Sequence, residues 1–336
     1  MTSEPSAGVA VLGTGDIARE HVRAFRRAGA ALTWVFGTDA GRAADLAAGS
    51  AGMRPSTSLQ DPLMDEATVG VVVCGRSATH RDRTIAALEA GKHVLVEKPP
   101  AGSLADFDRM VAAAHTAQRS LFVGQTVRFQ PAVAAMAARV EAGAIGIPRV
   151  LHMSWYIGHV WPGAWRSWQL DPETSGGHIA HNGMHPLDLA IWLLRGTPVR
   201  VFARGWCTHA AQMPTPDSFH LTVEFDNGAL ALIEVSYALA RRGDVLRRTV
   251  LIGTDGSLRH HTDDDDIPSG TEPADRASVA DALVHEARHA MDVFAGRTEP
   301  IITLAQSRAA LAAALAGQRS LDLGRPIEIA EVEKDV

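Results

Sequence analysis

Along the first 124 residues, apolar positions alternate between two rhythms. Short, largely apolar runs occur at Val9 to Leu12, Ala31 to Phe36, Val69 to Cys74, His93 to Val96 and Leu121 to Val123. Runs apolar on both faces predict strands of a parallel sheet covered on both sides. Between them the apolar residues recur at helical spacing. Ile17, Ala18, Val22 and Phe25 mark a helix over 16–29, closed by Gly29, and further helices are expected at Asp39 to Ala48, Thr79 to Ala90 (before Gly91) and Leu104 to Ala117. Strand and helix alternating in this way predict a doubly wound α/β sheet.

The rhythm changes near residue 125. Segments 150–156, 199–206, 219–225, 229–237 and 246–253 alternate apolar and polar residues, with turn signals at Asp226-Asn227-Gly228 and Thr254-Asp255-Gly256. They predict a mostly antiparallel sheet with one open side. A helix over 180–194 interrupts them. Residues 260–278 read as a polar loop whose run Asp263 to Asp266 is a solvated tip, and helices at 280–295 and 304–317 and a strand at 327–330 close the chain. The expected organisation is two domains, a doubly wound α/β domain over 1–124 and a second α/β domain with a mostly antiparallel open sheet over 125–336.

Composition narrows the function classes. The chain has 336 residues, 46% of them hydrophobic, with a formal net charge of −6. No basic stripe suits a nucleic acid, and no apolar run approaches the ~20 residues of a membrane span. The segment Met1 to Gly8 carries no Lys or Arg, unlike the start of a signal peptide. The two cysteines, Cys74 and Cys207, make no disulfide framework. A cytoplasmic protein is expected.

Two features carry the chemistry of the first domain. Gly13-Thr14-Gly15-Asp16-Ile17-Ala18 directly follows an apolar strand and opens a helix. The first Gly permits the tight turn, the second lets pyrophosphate approach the backbone, and the helix start offers N–H groups to phosphate. Glu97-Lys98-Pro99-Pro100 ends another strand, so Lys98 lies at the edge of the sheet where ligands bind. The prolines lack an N–H and stop the strand. An ammonium there can orient a substrate hydroxyl and share in proton transfer. After the second strand the chain reads Phe36-Gly37-Thr38-Asp39, so Gly37 stands where an acid would grip the adenine ribose of NAD. Thr38 and Arg42 could meet a 2′-phosphate instead, which favours NADP over NAD. Gly75, Arg76 and His80, around the start of the helix after the third long strand, are further candidate cofactor contacts.

In the second domain, helical spacing puts His178, His181 and His185 on one face. A metal reading is weakened by the glycines at 176–177 and by the lack of a completing carboxylate. A general acid/base reading favours His185, whose near-neutral pKa suits proton exchange with an alcohol.

Together these residues resemble the Gfo/Idh/MocA oxidoreductase family. The likeness rests on the glycine turn at 13–18, the run Gly91 to Pro99, Arg128-Phe129 with Pro131, Trp165-Arg166, the stretch at 176–188 and Gly324-Arg325-Pro326. It implies an N-terminal Rossmann domain, a C-terminal α/β domain whose open sheet builds homodimers or homotetramers, and hydride transfer between NAD(P) and a sugar, cyclitol or related polyol. Lys98 matches the signature lysine, His185 the catalytic histidine, and Trp165 and Arg166 a segment near the nicotinamide. Two positions depart from the pattern: His181 stands where the family usually has Asp, and Arg76-Ser77 where it often has Pro-Asn.

The expected function is an NAD(P)-dependent dehydrogenase or reductase, with Lys98 and His185 catalytic and His181, Asn182 and Tyr237 facing substrate. A non-catalytic dinucleotide sensor, a metal-dependent lyase or hydrolase, and a redox-assisted elimination or hydrolysis with bound NAD are the competing readings. The loops at 156–172 and 207–217 would set specificity. Within them or beside them, Trp155, Trp161, Trp165 and Trp168 could wall a sugar ring or serve as core.

Overall fold

The structure, a computed structural model, describes residues 8–158, 168, 171, 175–209, 213–241, 244–261 and 274–334. It divides into two compact units, one of residues 1–129 with 280–304 and the other of 130–279 with 305–336. The sequence pattern placed the break at 124/125 and carried the second domain to the end of the chain. The returning segment 280–304 instead packs with the first unit.

In the first unit a six-stranded sheet has the order β3-β2-β1-β4-β5-β6. Its strands are β1 (Gly8–Leu12), β2 (Ala31–Phe36), β3 (Arg54–Ser56), β4 (Thr68–Val73), β5 (His93–Glu97) and β6 (Leu121–Gly124). Every pairing is parallel. The connecting helices are α1 (Asp16–Arg27), α2 (Ala40–Ala48), α3 (Gln60–Met64), α4 (His80–Glu89) and α5 (Leu104–Ala117). The strand order reverses between β1 and β4, which puts the ligand crevice outside their carboxyl ends. The short β3 and α3 carry too few apolar residues to show in the pattern.

One face of this sheet is closed by a distant part of the chain. Leu283, Val284, Ala287, Ala290, Val293 and Phe294 join the core formed by Val9, Val11, Phe25 and Phe122. Gly70 in β4 makes room for this contact, since a Cβ there would lie 2.3 Å from Phe294 Cδ2.

In the second unit a seven-stranded sheet has the order β12-β11-β7-β10-β9-β8-β13. Its strands are β7 (Pro148–Gly158), β8 (Pro198–Trp206), β9 (Ser218–Phe225), β10 (Leu230–Leu239), β11 (Val245–Gly253), β12 (Ser257–His261) and β13 (Ile327–Glu328). The pairings are antiparallel except that of β10 with β7. The unit's helices are α6 (Pro131–Glu141), α7 (His178–Asn182), α8 (Met184–Leu194) and the C-terminal α10 (Leu304–Leu323) and α11 (Ile329–Glu333), while α9 (Ala274–Phe294) crosses from one unit to the other.

Alternation sorts the sheet's two faces. Leu221, Val223, Ala231, Ile233 and Leu251 are fully buried on one face. There α10 lies so close that a Cβ on Gly317 would sit 3.0 Å from Ile179 and 3.4 Å from Leu221.

Three expectations need correction. The helix over 180–194 is two helices that meet at Gly183, where a Cβ would lie 2.4 Å from Ile179 O. The strand at 327–330 is a two-residue strand that turns into α11, its start fixed by a capping box between Glu328 and Glu331. The loop over 260–278 is shorter at its end, because α9 begins at Ala274. The acidic run Asp263 to Asp266 lies outside the described residues.

Candidate active site

The glycine turn lies at the switch point of the parallel sheet. Gly13 has φ +157°, and a Cβ there would lie 2.9 Å from Cys74 Cβ and from its carbonyl oxygen, so the strands close only around glycine. Gly15 is the opposite case, with no atom of the described residues within 4 Å of the place its Cβ would take. It is also the N-cap of α1 and offers no side-chain cap. The first-turn N–H groups therefore face an open cradle. Such a cradle fits a dinucleotide pyrophosphate.

At the end of β2, Gly37 is required by a neighbour, since a Cβ there would sit 2.4 Å from Thr14 Cγ2. Thr38 and Arg42 are both exposed. Asp39 is used locally, its carboxylate accepting the Arg42 backbone N–H at 3.0 Å as the N-cap of α2. At the end of β4, Gly75 has φ +124° and Arg76 is exposed. His80 opens α4, and its Nδ1 is 2.9 Å from Pro99 O. That bond ties the loop after β4 to the loop after Lys98. Burial holds the His80 pKa below its ordinary value, and a donating neutral imidazole suits the carbonyl.

Lys98 follows β5 directly and is half-buried. Burial lowers its pKa from the ordinary lysine value, with Glu97 opposing. Behind it lies a network that the motifs did not reveal. The Glu97 Oε1 is 2.7 Å from His21 Nε2 on α1, and Glu97 Oε2 accepts the Lys98 backbone N–H at 3.1 Å. Glu97 and His21 are 6% and 1% exposed.

A third ionisable group, the fully buried Glu286 of α9, couples electrostatically to both. Thr126 Oγ1 donates to Glu286 Oε2 at 3.0 Å. Among the described residues neither Glu286 Oε1 nor His21 Nδ1 has a partner. Burial pushes the Glu286 carboxyl up to about 8, so it is largely protonated at neutral pH, with the charge of Glu97 adding to the effect. The imidazole of His21 is disfavoured as a cation by burial, but Glu97 outweighs this and raises its pKa. Glu97 is lowered: desolvation is the largest single influence and opposes this, but the His21 bond and the charges of His21, Lys98 and His80 together outweigh it. The one signal of His21 in the sequence is its place on the stripe of α1 that also buries Ala18, Val22 and Phe25. Glu286 is separated from Glu97 by most of the chain, and no spacing connects them.

In the second unit, α7 and α8 carry the other candidates. The ring of His178 stands edge-on to Phe219 and Tyr237, each at 5.0 Å between centroids, and its Nδ1 is 2.9 Å from Pro216 O. These contacts give His178 an aromatic, structural setting. The ring of His181 meets Trp168 edge-on at 5.5 Å. Asn182 is 6% exposed, and its Nδ2 donor has no partner among the described residues. Such an unsatisfied buried donor is costly unless a ligand or water completes it. His185 lies half-buried in the first turn of α8.

Tyr237 is in β10, and burial of its phenol pushes its pKa up to about 12. Among the described residues no group of three His, Cys, Asp or Glu side chains is placed to hold a metal ion. Trp161, Trp165 and Arg166 lie outside the described residues, whereas Trp155 is core, 4% exposed beneath the Arg247 guanidinium.

A parallel sheet with a phosphate cradle at its switch point, and a lysine at the end of a neighbouring strand, define a nicotinamide-dinucleotide oxidoreductase. Comparison with known proteins gives the family. Residues 7–125 match the model described as an oxidoreductase family with an NAD-binding Rossmann fold, and residues 133–259 match the GFO/IDH/MocA C-terminal domain. The chain belongs to the GFO/IDH/MocA oxidoreductase family.

Among its relatives, an inositol 2-dehydrogenase of Saccharopolyspora erythraea is 33% identical over 260 residues, 75% of this chain and 73% of that protein. A 1,5-anhydro-D-fructose reductase of Ensifer adhaerens is 28% identical over 338 residues, covering 95% of this chain and 97% of the other. The fold is shared with a probable dehydrogenase from Thermotoga maritima, at TM-score 0.86 and 23% identity over 97% of this chain and 99% of that one. It is shared also with GenD2 from gentamicin A biosynthesis, solved with NAD, at TM-score 0.85 and 24% identity over 98% and 97% of the two chains.

Proposed function

We propose that this protein moves a hydride between NAD(P) and a secondary alcohol or ketone carbon of a sugar or cyclitol. The observation that carries the reading is the placement of Lys98, half-buried at the end of β5 and backed by the buried Glu97–His21 pair. Support for the substrate class comes from the relatives, which include inositol 2-dehydrogenases and an anhydrofructose reductase.

The bound nicotinamide supplies the hydride acceptor or donor. In the oxidative direction His185 takes the hydroxyl proton, and Lys98 orients that hydroxyl and stabilises the negative charge developing on its oxygen. Asn182, whose Nδ2 has no partner among the described residues, binds a further substrate oxygen. His181 and Tyr237 face the same ligand. Gly13, Thr14, Gly15, Asp16 and Ile17 bind the pyrophosphate. Gly37, Thr38 and Arg42 lie toward the adenosine ribose and favour NADP. Gly75, Arg76, His80 and Glu97 complete the cofactor contacts.

We assign the open face of the second sheet to another copy of the chain, in a homodimer or homotetramer. Neighbouring strands there align Phe202, Leu232 and Val250 in one row, with Ile252 and Trp206 flanking it, and the last two are each 45% exposed. A patch of this kind is uncommon on a monomer. The working compartment is the cytoplasm. No helix among the described residues is long and apolar enough to cross a membrane.

The test is turnover: initial rates with NAD and with NADP against monosaccharides and cyclitols. Rates that depend on Lys98 and His185 support the reading, and cofactor binding without turnover on any of these substrates argues for a sensor.

A further inference from the structure

Arg83 plays no part in the chemistry above, yet it reaches across the cofactor end of the sheet. It lies in the first turn of α4, and its Nη1 donates to Cys74 O at 3.0 Å and to Leu12 O at 3.3 Å. Leu12 ends β1, and Cys74 directly follows β4. The guanidinium carbon is 5.2 Å from the ring centroid of Phe36, the last residue of β2. One half-buried cation therefore spans the carboxyl ends of β4, β1 and β2, three adjacent strands at the switch point. Gly75 leaves room for it, because a Cβ there would stand 3.2 Å from Nη1.

Among the described residues Arg83 meets no counter-charge: its hydrogen bonds run from Nη1 to the two neutral carbonyls, and no carboxylate there pairs with it. Nε and Nη2 remain available, and these two donors form the geometry that grips a phosphate bidentately. A half-desolvated guanidinium held only by dipoles gains most from an incoming anion.

The neighbouring positions decide which anion. On a doubly wound sheet the adenosine ribose lies at the end of β2, where a carboxylate reads its diol in NAD-dependent proteins. Here Thr14 fills the space a side chain at Gly37 would need, and Asp39 is committed to capping α2. The end of β2 is thus without a free acid and faces a waiting cation.

From this placement we infer that Arg83 is the cofactor-specificity residue, its free guanidinium edge taking the 2′-phosphate of NADP. The inference deepens the proposed function and rests on its dinucleotide site, but binding can be read without any turnover. The experiment is calorimetric titration of the full chain, wild type, Arg83→Met and Arg83→Lys, with NADP and NAD, and with 2′,5′-ADP and 5′-AMP as probes of the adenosine half.

The wild type is expected to bind NADP more tightly than NAD, and 2′,5′-ADP more tightly than 5′-AMP. Arg83→Met should weaken the two 2′-phosphorylated ligands by about 10- to 100-fold, the range for lost charge-assisted hydrogen bonds, and the other two by less than about threefold. Arg83→Lys, which keeps the charge and the stem, should fall between and guards against a Met variant that misfolds. Parallel losses for all four ligands would make Arg83 only a pin between strands and overturn the inference, as would a wild type that prefers NAD. Absence of turnover with selective NADP binding would defeat the dehydrogenase reading alone.

Discussion

His21 Nε2 and Glu97 Oε1 lie 2.7 Å apart, both buried, one on the first helix and one at the end of the fifth strand. The pair joins the helix that starts at the pyrophosphate cradle to the residue before Lys98. Glu97 in turn accepts the Lys98 backbone N–H. The position of the lysine is thus set from behind by a charged hydrogen bond shielded from water, where such bonds are strongest.

Removing His21 leaves a buried carboxylate without its partner. His21→Leu is expected to destabilise the fold by about 3–5 kcal/mol, the usual cost of breaking a buried charged pair. His21→Gln can still donate one hydrogen bond and should cost less. Chemical denaturation of the three proteins checks the order. Where folded protein survives, kcat should fall more than cofactor affinity, because Lys98 and not the cradle has lost its support.

The pH dependence of stability follows from the same cluster. Glu286 has a folded-state pKa of about 8, above the ordinary carboxyl value, so its unfolded form loses the proton first as pH rises. Its contribution is complete only below the ordinary carboxyl value and is lost progressively as pH rises from there to about 8. The raised pKa of His21 acts in the same sense, in full below the ordinary imidazole value and lost above its folded one. The lowered pKa of Glu97 acts oppositely, present above the ordinary carboxyl range and lost on acidification. Melting temperature should therefore decline from pH 6 toward pH 9, and Glu286→Gln, which cannot ionise, should flatten that decline. An unchanged slope in the variant would show that Glu286 is not the titrating group.

Much of the fold was legible because burial on both faces leaves unbroken apolar strands, as at Val71, Val72 and Val73, and one-sided burial leaves alternation, as at Leu221 and Val223. The glycine turn and Lys98 were legible because strand ends and prolines fix them locally. His21, Glu286 and Arg83 were not. Each acts through a residue far away in sequence, and a histidine or glutamate on a helix reads as surface until the partner is known. Gly183 was missed as a helix break for a similar reason: its constraint is the close approach of Ile179 O.

Under the proposed function, Tyr237 and Asn182 bind substrate and take no part in the chemistry. Tyr237→Phe and Asn182→Ala are expected to raise KM for the polyol by about 5- to 20-fold, the worth of one hydrogen bond, with cofactor affinity unchanged. Steady-state kinetics with separate cofactor titrations checks this. A loss confined to cofactor binding would place both residues elsewhere in the reaction.

The open sheet face gives a prediction about assembly. Leu232 lies between Thr222 and His152 on the same row as Phe202 and Val250. Leu232→Arg places a charge in the middle of this row, between the apolar Phe202 and Val250, and should shift the protein to a smaller species in sedimentation, with each subunit still folded. An unchanged sedimentation coefficient would put the contact on another surface.

The central claim is tested most directly by initial rates of nicotinamide reduction on the best polyol substrate for wild type, Lys98→Met and His185→Ala, with cofactor affinity measured in parallel. The account predicts that each substitution lowers kcat by about 10²- to 10⁴-fold, the range for a lost proton-transfer or charge-stabilising group, while the cofactor still binds. Variants that both turn over at the wild-type rate would contradict it.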